Sequence, residues 1–150
     1  IEKLNTIQHN HSLVAIKDTF SVESKRYLTY YDEKWECKLF LNFKTVEENN
    51  ENNLIENLSS SLSVNRSLIH CEIKGNQVDE KYSVSHKEMR TYNHRLYEVS
   101  ISNFPEIMRN DNFTLNGKHY YWMSIDDMRK DKEIIKKNLE IVEFVHSHIN

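Results

Sequence analysis

Almost none of the residues that usually punctuate a fold occur in this chain. Its 150 residues include two glycines and one proline, few for a domain that must turn many times. Asparagine takes over that work at Asn49-Asn50, Asn52-Asn53, Asn76, Asn110 and Asn116-Gly117, because its short side chain tolerates the left-handed backbone region. Cysteine is scarce too. Cys37 and Cys71 fall at strand positions without metal-type spacing, which excludes a disulfide framework and fits reduced thiols in a cytosolic protein. Of the histidines, His9 and His11, and His146 and His148, lie near the two ends and the others stand singly. None has zinc-type spacing with a cysteine or an acid, so neither a metal nor a cofactor is expected. No apolar run approaches the ~20 residues that span a bilayer, and no signal peptide is present. A formal net charge of −3 lacks the broad basic excess of a nucleic-acid or membrane-surface binder, so duplex nucleic acid is not an expected partner.

What is there reads as one domain over 12–150, preceded by a polar segment, 1–11, expected to be a linker. Ser12–Lys17 and Tyr27–Tyr31 are predicted strands. Trp35–Phe43 alternates, with Trp35, Cys37, Leu39 and Leu41 on one face and Glu36, Lys38 and Phe40 on the other. Trp35 and Trp122 both suit a core. Asn53–Leu62 is a predicted helix whose Leu54, Leu58 and Leu62 share one face and should pack inward. Leu68–Ile73 and Val78–Val84 read as a hairpin about a turn at Lys74–Gln77, and Glu88–Ile101 as a long strand bulged near Asn93-His94. Asn116-Gly117 signals a tight hairpin, and Ser124 with Asp127 has capping-box form. Lys132–His148 is predicted to close the chain as one long helix. The fold class is α+β: a mixed, twisted sheet flanked by a short helix and a long C-terminal helix.

The segment from Trp35 to Val64, WECKLFLNFKTVEENNENNLIENLSSSLSV, orders a strand, a polar loop and an amphipathic helix. It resembles the box that defines the Nudix hydrolase superfamily: Gly, five residues, Glu, seven residues, then Arg-Glu-apolar-x-Glu-Glu-x-Gly-apolar. The matching register sets Asn42 at the first Gly, Glu48 at the isolated Glu and Glu56 at the Arg. Asn57 then stands at the next Glu, Leu58 at the apolar position, Ser60 and Ser61 at the Glu pair, Ser63 at the second Gly and Val64 last. The apolar skeleton survives and the metal-binding carboxylates do not. The ending HYYWMSIDDMRKDKEII is similar to the family's strand with a Trp, helical turn and final helix. The resemblance implies a Nudix-like sheet. The replaced carboxylates point to a domain without catalytic residues, since Ser and Asn cannot supply the anionic oxygens that Mg²⁺ requires.

A narrower resemblance is to degenerate Nudix-like domains of bacterial antiphage effectors associated with cyclic-oligonucleotide synthases. It implies a sensor of a nucleotide second messenger, cyclic or linear. It also implies a homo-oligomer on the cytoplasmic side, tethered to the inner membrane through a transmembrane segment upstream of Ile1. Such a ligand needs cations, donors and aromatic faces. Arg90 and Tyr92 share a face of the long strand and are the first candidates. Arg26, Lys38 and Tyr30 stand on neighbouring strands, and Tyr82 and His86 in the hairpin and its loop. Each also fits a solvated cation, a half-buried aromatic or a loop histidine. Two other functions stay open: a Nudix-type hydrolase with a metal site rebuilt from Glu47, Glu48, Glu51 and Glu56, and an oligomerisation or protein-interaction module.

Overall fold

A computed structural model describes residues 6–21, 25–83 and 87–149. The chain runs β1 (Thr6–Ile16), β2 (Tyr27–Asp32), β3 (Cys37–Lys44), α1 (Asn50–Leu62), β4 (Ile69–Ser83), β5 (Glu88–Ile101), β6 (Asn112–Leu115) and β7 (Lys118–Met123). Three helices follow: α2 (Ile125–Lys130), α3 (Lys132–Lys137) and α4 (Leu139–His148). The strands form one seven-stranded mixed sheet ordered β4-β5-β1-β3-β2-β7-β6. β1 and β5 are parallel; every other neighbouring pair is antiparallel. The expected fold class is the observed one.

Two cores lie on opposite faces of this sheet. Leu54, Leu58 and Leu62 of α1 pack with Val14, Ile16, Leu28, Val99 and Trp122. Ile134 of α3 and Val142, Phe144 and Val145 of α4 pack with Leu13, Ala15, Phe40 and Leu96. Successive residues of β1 thus feed alternate cores, and Leu13 to Ile16 are all buried. That two-sided burial is why Leu13–Ile16 is a continuous apolar run with no polar alternation. Fully burying each leucine of α1 contributes roughly 1.5–3 kcal/mol, so α1 is held by its stripe. Its start is pinned by Asn50, which is buried. The Asn50 amide donates to Ser12 Oγ and to the Tyr97 hydroxyl, each at 2.9 Å, and its carbonyl accepts from Val46 N at 3.0 Å.

Several local expectations meet tertiary corrections. Residues 6–11 belong to β1 and are not a linker. Lys74–Gln77 is no turn: β4 pairs with β5 continuously from Ile69 to Ser83, with a bulge between Ile73 and Gly75. The bulge expected at Asn93-His94 is not there: both residues pair in register with β4 and β1. Gly75 is needed for room, since a Cβ there would stand 2.6 Å from the His148 ring of α4. Trp35 lies in the β2–β3 turn, 56% exposed, because Glu36 takes φ 53 and ends the extended run before it reaches Trp35. Trp122 is core as expected. The single C-terminal helix is broken at Asn138 (φ −146, ψ 15), which separates α3 from α4. The Asn116-Gly117 hairpin turn and the Ser124–Asp127 capping box form as read, the box closed by bonds of 3.0 and 3.1 Å. Among the described residues no helix is long and apolar enough to cross a membrane.

Two outcomes follow from this packing. Gly75→Ala should lower unfolding stability by about 1–3 kcal/mol through overpacking against His148. Most of that loss should return in the Gly75→Ala/His148→Ala double variant, measured by urea unfolding. Asn50→Ala strands two buried donors' partners and an amide, and should cost at least about 2 kcal/mol. Tyr97→Phe should cost less in the same assay.

Candidate functional site

The helix that carries the box-like positions turns its polar groups to structural use. Glu56 pairs with Arg66 at 2.6 Å. Asn57 donates its amide to Asn53 O at 2.9 Å, and Ser59 Oγ donates to Val64 O at 2.6 Å. The Ser60 and Ser61 carbonyls accept from the Asn116 amide at 3.4 and 2.9 Å. Ser63 caps α1 at φ 57, the left-handed position that glycine fills without strain, in keeping with the register that sets it at a box Gly. Glu47, Glu48, Glu51 and Glu56 are all exposed. Among the described residues no group of three or more His, Cys, Asp or Glu is arranged to hold a metal. Mg²⁺ needs several hard anionic oxygens converging at about 2.0–2.1 Å, and this donor set does not fit it. Burial, followed by Glu51, pushes the Cys71 thiol up to about 11, and burial, followed by Asp131, raises that of Cys37.

The expected ligand residues separate onto different faces. Arg26 is clipped between Asp18 at 2.7 Å and Asp111 at 2.9 Å, with its guanidinium carbon 5.6 Å from the Phe20 ring on the α1 side. It ties the end of β1 to the segment before β6. Tyr30 packs on the same α1 core. Its hydroxyl donates to Asp32 at 2.8 Å, and the Lys118 ammonium lies 4.8 Å from its ring. Burial, then the Asp32 bond, pushes the Tyr30 phenol far above its ordinary range. Asp32 is lowered although desolvation opposes it, because Trp35 N–H and the Tyr30 hydroxyl donate to it. Lys38 is on the opposite face, 4.2 Å from the Tyr121 ring and 3.8 Å from Asp131. The cations and the tyrosine therefore do not form one cluster. The Tyr82 backbone pairs with Met89, while its side chain and all of His86 lie outside the described residues.

Arg90 and Tyr92 do share a face, as the alternation of β5 requires. Leu96 of that face joins the α4 core, whereas Tyr97, Val99 and Ile101 join the α1 core. Beyond Leu96 the α3–α4 unit no longer covers the strands, and a cavity of about 330 Å³ opens. Its floor is sheet: His11 of β1, Tyr92 and His94 of β5, and Asp79 of β4. His11 is the register partner of His94, and Tyr92 that of Asp79. One wall is Trp35 with Phe40 and Asn42; the other is Lys137, Asn138 and Glu140 at the break between α3 and α4. Lys137 joins the walls, donating to Trp35 O at 2.8 Å and Glu36 O at 3.3 Å while pairing with Glu133 at 2.8 Å. Of the expected residues whose side chains are described, only Tyr92 lines this cavity. Trp35, His11, Asp79 and Lys137 were missed, and only the alternation of His94 with Tyr92 signalled any of its floor.

No protein-family model matches the chain, and no curated protein matches it. Solved structures do. The Ap4A hydrolase of C. elegans superposes with a TM-score of 0.56 at 8% identity, over 94% of this chain and 97% of that one. A Nudix-family hydrolase from Clostridium perfringens gives 0.54 at 14% identity, over 95% and 99%. The Nudix domain of Shewanella oneidensis NrtR, complexed with ADP ribose, gives 0.56 at 9% identity, over 95% and 89%. Identities this low speak to backbone architecture and not to chemistry. The chain has the Nudix fold.

Proposed function

We propose that this domain is a non-catalytic nucleotide receptor, the sensor of a bacterial antiphage effector that responds to a cyclic or linear oligonucleotide. The observation that carries it is the contrast between the two faces. The helix that would present metal carboxylates bears Asn57, Ser60 and Ser61, the last two with backbone carbonyls bonded to the β6–β7 turn. The opposite face keeps an open groove with Trp35 and Tyr92 in its lining, the kind of surface on which bases stack. The NrtR domain of the same fold is complexed with ADP ribose, which supports a nucleotide derivative as the ligand class. The effector context is supported by the sequence resemblance. Having no chemistry of its own, the domain passes on binding as a change in how copies associate.

Calorimetric titration with nucleotides should give the same affinity with Mg²⁺ and with EDTA, and phosphate release should stay at background. Sedimentation with and without ligand should show the change in association. Mg²⁺-dependent turnover of order 1 s⁻¹ or faster that disappears in Glu48→Gln would end the receptor reading. Arg90, two residues beyond Tyr92 on the same face of β5, is the cation expected at the open end of the groove. Arg90→Ala should weaken nucleotide binding about tenfold, the scale of one charge-assisted phosphate contact, with the melting temperature nearly unchanged. Unaltered affinity would place the phosphates elsewhere.

A further inference from the structure

We infer that the groove on the α4 face takes the nucleoside end of the ligand, base first, and leaves the phosphates outside toward Arg90. This deepens the receptor reading and rests on it. The first observation is charge. Among the described residues the groove lining holds one lysine, Lys137, no arginine, and two acids, Asp79 and Glu140. The Lys137 ammonium is already committed to two turn carbonyls and to Glu133. A polyphosphate held here would face two carboxylates for one engaged ammonium, the reverse of what phosphate recognition demands. Asp79 already accepts the neutral amide of Gln77 at 2.9 Å, and a carboxylate has further lone pairs for the exocyclic amines and ribose hydroxyls at the neutral end of a nucleotide.

The second observation is shape. A volume of about 330 Å³ stands at the lower limit of the roughly 300–1,000 Å³ typical of small-ligand sites. That is room for one nucleoside and not for several linked ones, so the rest of an oligonucleotide would lie outside. The third is the aromatic lining. Trp35 is 56% exposed at the rim, whereas Trp122 is buried on the other face of the sheet. An indole so placed offers a stacking surface, with the Tyr92 ring in the same cavity and the amide of Asn138 able to read a base edge as donor or acceptor.

Trp35 also supplies the assay. Tryptophan emission of the intact domain would be followed while adding the four ribonucleosides, their triphosphates and inorganic pyrophosphate, with calorimetry in parallel. A nucleoside should quench the emission, with amine-bearing bases ahead of uridine, and its triphosphate should bind about tenfold more tightly, the scale of the one phosphate contact at Arg90. Pyrophosphate should neither quench nor compete. Trp35→Phe should abolish the quench, and Tyr92→Leu should weaken nucleoside binding about tenfold, the scale of one lost base–aromatic stack. Glu140→Gln should favour the triphosphate over the nucleoside, a shift that a merely structural role would not cause. Competition by pyrophosphate, or calorimetric binding of triphosphates with neither quenching nor nucleoside affinity, would overturn the inference and leave the receptor reading standing. Silence from every nucleoside and nucleotide in both measurements would overturn both.

Discussion

The parallel pairing of β1 with β5 is the constraint on which the rest of this molecule depends. It runs unbroken from Thr6 opposite Met89 to Ile16 opposite Val99, and it joins the long β4–β5 hairpin to the antiparallel strands β3, β2, β7 and β6. A parallel pair cannot be closed by a tight turn and needs a long crossover. Here α1 lies within that crossover, which lets its leucines seal one face of the sheet. Because β1 sits inside the sheet with helices on both faces, it must be apolar throughout its covered half. Where cover ends, at His11, the side chain is polar.

The groove is the complement of that cover. The α3–α4 unit meets the sheet at Leu13, Phe40 and Leu96, and its last turn presses so closely on β4 that Gly75 has no room for a Cβ. Anchored there, and broken at Asn138, the unit is too short to reach the far half of β5. Tyr92 and His94 are left on an open floor, with the Trp35 turn facing the helix break across them. Lys137 closes that side by binding the turn carbonyls directly. One ammonium thus bonds both the turn carbonyls and Glu133 of α3.

On the α1 side the buried stripe and the exposed face of the helix do separate work. The helix keeps its buried leucines and its left-handed cap, because those hold the sheet together whatever the exposed face carries. Its polar positions have been drawn into local bonds: Asn57 to the helix backbone, Ser59 to Val64, and the carbonyls of Ser60 and Ser61 to Asn116. Its polar face now braces the β6–β7 turn.

What the sequence determined by itself is whatever arises within a turn or two of chain. The leucine stripe of α1, the Asn116-Gly117 hairpin, the Ser124 capping box and the inward–outward alternation of β5 all rest on periodicity or on turn chemistry, so they were legible. The β4 turn was misread because Asn and Gly signal a bend unless a partner strand holds the backbone straight, and β5 does so. Asn138 breaks a pattern that looks continuous, since the apolar period cannot reveal a change of axis. Arg26 read as a cation for a ligand because its aspartates, Asp18 and Asp111, meet it only through the folded sheet. The groove was legible only at Tyr92 and, weakly, at His94. Which strand lies beside β5, and in which register His11 meets His94, depends on contacts between segments far apart in the chain. Only the tertiary structure decides those, because two-sided burial selects β1 for the centre of the sheet and the length of α4 decides how much of that centre stays open.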